Sequence, residues 1–126
     1  MEWNIAPDRP VYLQLIEQME RAIAAGAYQP GERLPGVREM AGGAAVNPNT
    51  MQRALQELET RGLVNTQRTA GRSVTADEAR IAQLREQLAQ GQIGQFLENM
   101  ARLGFRPPQA LALLQSRLAR EQEEET

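Results

Sequence analysis

Asn47-Pro48-Asn49-Thr50-Met51-Gln52-Arg53 stands at the centre of the run from Leu34 to Arg72, and the reading of this run decides the fold. The Asn47 side-chain oxygen can accept from backbone amides two or three residues on, and Pro48 suits the first helical position, where no amide proton is needed. A helix is therefore predicted to start here. Met51, Ala54, Leu55 and Leu58 recur at helical spacing as its buried stripe, and Gly62 supplies a C-terminal stop. The opposite face carries Asn49, Gln52, Arg53 and Gln56. Amides and guanidinium groups are the side chains that pair bidentately with adenine and guanine edges in the major groove, and a helix N-terminus attracts phosphate.

Working outward, Gly36 to about Gly43 forms a second, preceding helix, with Val37, Met40 and Ala41 inward and Arg38 and Glu39 outward. Ala44-Ala45-Val46 joins the two tightly, which makes a helix-turn-helix. Upstream, Val11, Leu15, Ile16, Met19, Ala22 and Ile23 give an apolar face to a helix from Pro10 to Ala25, stopped by Gly26. Residues 1–9 read as an extended lead-in in which Asp8 is a candidate cap. Gln29-Pro30-Gly31 is a turn, and Arg33-Leu34 is long enough for a single strand rung.

Downstream of Gly62, Leu63–Arg68 and Arg72–Thr75 have strand composition around a Thr69-Ala70-Gly71 tip. A hairpin in that position is the wing of a winged helix, with Arg68 and Arg72 set to meet backbone phosphate or the minor groove. Read by itself the hairpin could equally be a surface feature with solvated arginines. Its place directly after a helix-turn-helix favours the wing.

Composition narrows the function. The chain of 126 residues has no cysteine and no histidine, which removes thiol chemistry and the commonest metal ligand and general base. Glu57 and Glu59 are two apart on a helix and so point to different faces. An enzyme, a metal site and a bound cofactor are all disfavoured. No run approaches the roughly eighteen apolar residues of a membrane span, and Met1-Glu2-Trp3-Asn4 lacks the features of a signal peptide, so a cytoplasmic protein is expected. The net charge of −2 conceals a local asymmetry. Between Arg33 and Val74 six arginines face three acids, and from Thr75 onward eight acids face six arginines. The basic character is thus confined to the region read as DNA-binding.

From Ala76 helix formers dominate. Ile81, Leu84 and Leu88 form a narrow stripe, and Ile93, Phe96, Leu97, Met100 and Leu103 a denser one, with Gly91 and Gly94 marking a candidate kink. A last helix starts at Pro107-Pro108 and carries Ala110, Leu111, Leu114 and Leu118 before an acidic end, Glu121 to Thr126, that is expected to fray. Two amphipathic helices cannot enclose a core alone. They either dock on their own domain or pair with the same helices of a second chain. The second is favoured, because a helix-turn-helix reader usually needs two half-sites.

The blocks Val11-Tyr12-Leu13-Gln14-Leu15-Ile16, Gly26 to Ala41 (with Leu34-Pro35-Gly36-Val37-Arg38), Asn47-Pro48-Asn49-Thr50 and Leu58 to Val64 together resemble the winged-helix domain of GntR-type bacterial transcription regulators, over about residues 10 to 75. The Asn-Pro-Asn-Thr block with a short helical tail is similar to the YtrA branch. That resemblance implies a homodimeric repressor of its own operon, often one encoding an ABC transporter. It implies a phosphate or base contact for Arg38, recognition-helix contacts for Asn47, Asn49, Thr50 and Arg53, and wing roles for Arg68 and Gly71. Three positions depart from the family pattern: Gly36 stands for a usual serine, Thr69 for a wing glycine, and Ala44-Ala45 for Leu-Gly.

The expectation is a mainly α protein with a small β-hairpin wing: a winged helix-turn-helix DNA-binding domain over residues 1–75, then a two-helix dimerisation tail over 76–126. The DNA-binding set is Arg38, Asn47, Asn49, Thr50, Gln52, Arg53, Arg68, Gly71 and Arg72. The dimer interface is Phe96, Leu97, Met100, Leu103, Leu111, Leu114 and Leu118. Partners are operator DNA and a second copy of the chain, with a small-molecule effector left open and no membrane. The competing reading is a winged-helix protein-interaction module without specific DNA binding. An aminotransferase fusion of the kind found among relatives is disfavoured, because about 50 residues after the wing are too few and no lysine exists for a Schiff base.

Overall fold

A computed structural model of the chain describes residues 1–125, which form helices α1 (Val11–Ala25), α2 (Val37–Ala44) and α3 (Pro48–Thr60), strands β1 (Val64–Gln67) and β2 (Gly71–Val74), and helices α4 (Glu78–Arg102) and α5 (Pro107–Glu125). The chain divides into two compact units, residues 1–86 and residues from 87 onward, so α4 begins in the first and ends in the second.

In the first unit α1 and α2 both pack on α3. Leu15, Ile16, Met19 and Ile23 of α1 meet Met51, Leu55 and Leu58 of α3 in a common core with Met40 and Ala41, closed by Leu34, Leu63, Val64 and Val74. Each buried leucine, isoleucine or methionine contributes about 1.5 to 3 kcal/mol relative to exposure. Ile81 and Leu84 are buried as well, which sets the start of α4 within this unit. Asp77 caps that helix by accepting from the Arg80 amide at 3.2 Å.

Three helix ends in this unit share one device. At α1, α2 and α3 the amide after the left-handed residue donates back to a carbonyl five residues earlier: Ala27 to Ala22, Val46 to Ala41 and Leu63 to Leu58. Gly26 and Gly62 occupy the left-handed position at two of them, at φ 82 and 76. The third, inside the helix-turn-helix, holds Ala45 at φ 57. A Cβ there costs roughly 1 to 2 kcal/mol that glycine would not.

β1 and β2 pair antiparallel in the register Val64↔Val74, Asn65↔Ser73, Thr66↔Arg72, Gln67↔Gly71, leaving Arg68, Thr69 and Ala70 as the tip. The expected hairpin is thus present, with β1 one residue shorter at each end than expected and β2 shifted by one residue toward the turn, so that Gly71 lies inside the strand. Arg33 bridges Ser73, so the single rung expected at Arg33-Leu34 lies beside β2.

Several local expectations are corrected. Asp8 does not cap α1; Pro10 holds the cap position without a side-chain bond. The lead-in is stitched down instead. The fully buried Gln14 amide accepts from Ala6 N at 2.7 Å and donates to the Ala6 and Arg9 carbonyls at 2.8 Å, and Gln18 pairs with both backbone groups of Asn4. In the second unit α4 passes through Gly91 and Gly94 without interruption, and α5 stays helical through Glu125. Continuous hydrogen bonding along α4 outweighs the roughly 1 kcal/mol intrinsic cost of each glycine. An Arg117–Glu121 pair at 3.0 Å supports the last turns of α5. Thr126 lies outside the described residues.

Candidate nucleic-acid interface

The interface is built on α3, whose start is fixed by its own sequence. Asn47 Oδ1 accepts from the Asn49 amide at 2.8 Å and Pro48 is the first helical residue, so the helix begins where the exposed amides begin. The cap engages the Asn47 oxygen, and the residue is otherwise exposed. Asn49, Arg53 and Gln56 are exposed, and Thr50 and Gln52 are half-buried along the edge of the same face. On α2, Arg38 is exposed and has no ion-pair partner among the described residues. Gly36 ahead of it forms no side-chain cap, and the space where a side chain would project is empty within 4 Å.

Arg53 is not a free arm. Its guanidinium carbon lies 4.6 Å from the centroid of the Tyr12 ring on α1. A cation over an aromatic face at that distance is worth about 0.5 to 1 kcal/mol at an exposed site, which biases the side chain toward the Tyr12 ring.

Arg72 is more firmly engaged. Its Nε donates to Glu59 Oε1 at 2.7 Å, its Nη1 lies 3.5 Å from Gln52 Oε1, and only 15% of the side chain is exposed. Thr66 on the facing strand donates its hydroxyl to the same Glu59 oxygen. Burial pushes the Glu59 carboxyl up, but the bonds from Thr66 and Arg72 and the Arg72 charge outweigh it and hold the group below its ordinary range. The cluster fastens the wing to α3. It also takes up the charge that the sequence reading assigned to phosphate. Arg61 plays a similar part at the far end of α3, reaching Glu57 at 3.0 Å and Glu20 of α1 at 3.2 Å.

The wing tip keeps Arg68 exposed, and Gly71 sits at φ 73, a backbone conformation that suits glycine. Of the nine DNA-binding candidates, the structure brings Asn47, Asn49, Thr50, Gln52 and Arg53 onto one helix, Arg38 onto the helix before it, and Arg68, Gly71 and Arg72 onto the wing. Sequence reading passed over Tyr12 and Glu59. Glu59 had a faint signal, being an acid in a basic segment at the end of the helix facing the hairpin. Tyr12 had none beyond its place on an amphipathic helix edge.

In the second unit Phe96, Leu103, Leu111, Leu114 and Leu118 are exposed, and Leu97 and Met100 are half-buried. Ile93, Phe105 and Leu113 add to the exposed apolar surface. Among the described residues no helix is long and apolar enough to cross a membrane.

Residues 11–74 match the sequence profile described as bacterial regulatory proteins, gntR family. Over 105 residues the chain is 33% identical to the HTH-type transcriptional regulator YhcF of Bacillus subtilis, covering 83% of this chain and 87% of that one. Over 87 residues it is 37% identical to the HTH-type transcriptional repressor YtrA of the same organism, covering 64% and 67%. The structure superposes on a GntR family transcriptional regulator from Listeria monocytogenes with a TM-score of 0.81 at 33% identity, over 89% of this chain and 98% of the other. These relatives are transcriptional regulators and not enzymes.

Proposed function

We propose, from the premise that this chain belongs to the GntR family of bacterial regulatory proteins and is a DNA-binding regulator of transcription, that it is a cytoplasmic homodimeric repressor. It binds an inverted-repeat operator, that of its own transporter-type operon, and blocks polymerase by occupying the promoter. The observation that carries the reading is the exposed face of α3, where Asn49 and Arg53 are in no ion pair among the described residues, while Glu57 is taken up by Arg61 and Glu59 is turned to the wing. Amide and guanidinium groups on a helix that enters the major groove are the donors and acceptors that read base edges.

The dimer part rests on the tail. Exposed Ile93 and Phe96 on α4, Leu103 and Phe105 in the link, and Leu111, Leu113, Leu114 and Leu118 on α5 are more apolar surface than a small solvated helix pair retains, and burying them at about 25 cal/mol per Å² against a second copy offsets the association cost. A two-fold dimer then sets two α3 helices one DNA turn apart, roughly 34 to 36 Å, or a multiple of it. Similarity to the repressor YtrA supports the sign of regulation.

The test is selection of a duplex from a random-sequence library by the full chain, followed by titration against the selected duplex and a scrambled one. The account expects a two-fold symmetric consensus, which also appears upstream of the chain's own gene, and a preference of about a thousandfold or more over the scrambled duplex. Recovery of no consensus, or equal affinity for both duplexes, would contradict it and favour the protein-interaction reading.

A further inference from the structure

With Arg72 committed to Glu59, the side of the wing lacks the cation expected there. We propose that Arg33, at the single bridge beside β2, is the residue that contacts a backbone phosphate flanking the wing. The inference rests on the DNA-binding reading above and adds a residue to it.

The register places the side chain. Leu34 N donates to Arg72 O at 2.9 Å and Val74 N to Glu32 O at 2.8 Å, so residues 32–34 run antiparallel beside β2 through one isolated bridge, with Arg33 opposite Ser73. Paired residues share a face of the sheet and neighbours alternate. Arg33 therefore lies on the face of Ser73 and Gly71, opposite the face on which Arg72 turns to Glu59 and Val74 enters the core.

Its guanidinium then runs one rung toward the tip. A Cβ built on Gly71 would lie 3.8 Å from Arg33 Nη2 and 3.9 Å from Nε, so the planar group rests over bare backbone at the strand's tip end. The neighbouring acid forms no ion pair with it; Glu32 Oε1 accepts instead from the Gln29 amide in the preceding turn at 3.0 Å. Arg33 is exposed and makes no ion pair with any described carboxylate, in contrast to Arg9, Arg61, Arg72 and Arg117. A planar cation without an ion pair, resting against Gly71 of the wing and ahead of the α2 helix that carries Arg38, suits bidentate phosphate recognition.

The test uses the full chain and the duplex it selects from a random library, and compares Arg33→Ala, Arg33→Lys and Arg72→Ala across a salt series. A phosphate contact predicts that Arg33→Ala weakens selected and scrambled duplexes alike by about fivefold and lowers the slope of log K against log salt by about 0.9 per bound subunit. Arg33→Lys keeps the slope, and the unfolding midpoint of both variants is unchanged. An unaltered slope for Arg33→Ala would overturn the assignment, as would a loss confined to Arg72→Ala. Failure of the unmodified chain to select any duplex is a different result, visible before a variant is made, and overturns the DNA-binding reading instead.

Discussion

Glu59 of α3 accepts from Arg72 of β2 at 2.7 Å, and through this one carboxylate α3 and the hairpin are held in a fixed relation. Thr66 completes the clamp from β1. Glu59→Gln is expected to cost about 1 to 2 kcal/mol at neutral pH, as for a hydrogen bond to a charged group. The same substitution frees Arg72, so affinity for a scrambled duplex should rise at low salt even as stability falls. A fall in both would show that the clamp positions the wing for DNA more than it restrains a cation.

The clamp also sets a pH dependence. Its carboxyl titrates below the ordinary value of 4.5 in the folded chain, so its contribution to stability is complete above that value and disappears as the pH falls through the lowered folded value. The stability difference between the unmodified chain and Glu59→Gln should therefore be constant from pH 7 to about pH 5 and shrink below 4.5. Urea titrations at stepped pH measure it. A difference that grew on acidification would reverse the sign assigned to Glu59.

Ala45 holds a left-handed conformation at φ 57 in a turn where the two equivalent helix ends use glycine. Ala45→Gly should stabilise the chain by about 1 kcal/mol, the relief of Cβ strain exceeding the added unfolded-state entropy of glycine. The urea midpoint at unchanged slope reads it. A lower midpoint would mean that the turn has no strain to release.

Tyr12 lies under Arg53 and should act through it. Tyr12→Leu keeps an apolar side chain on α1 and removes the aromatic face. It is expected to lower affinity for the selected duplex by about 0.5 to 1 kcal/mol with little change for a scrambled one. In an Arg53→Ala background the Tyr12→Leu effect should vanish. Additive losses in that double-mutant cycle would separate the two residues.

Leu111, Leu114 and Leu118 of α5 are all exposed. If α5 forms the proposed dimer surface, Leu111→Glu with Leu118→Glu should abolish self-association by setting unpaired charge into it, while the winged helix keeps its unfolding midpoint. Size-exclusion profiles identical to those of the unmodified chain would remove α5 from the interface.

The sequence showed most plainly what local chemistry controls. Asn47, Pro48 and Gly62 mark the two ends of α3, and the apolar spacing between them gives its buried face, because caps and helical periodicity act within a few residues. The arrangement of charges was less legible. Arg72 reads as a free wing arginine until the pairing of β1 with β2 brings it to Glu59, thirteen residues away. Arg33 reads as a strand rung, and its reach toward the tip depends on the missing side chain of Gly71. Ala45 looks like a helix former in a tight link, and only the backbone reveals that the turn asks for a left-handed residue. Gln14 falls inside an apolar stripe, and its burial makes sense only once the backbone of residues 6 and 9 returns to satisfy it.

The central claim is that two copies act together on one symmetric site. Sedimentation equilibrium of the full 14.0 kDa chain titrated onto its selected duplex tests it most directly. The account predicts a complex of two chains per duplex at every protein excess, formed without a detectable one-chain species, and a free protein at twice the chain mass at micromolar concentration. A stable complex of one chain per duplex, with a free protein of 14.0 kDa throughout, would contradict it.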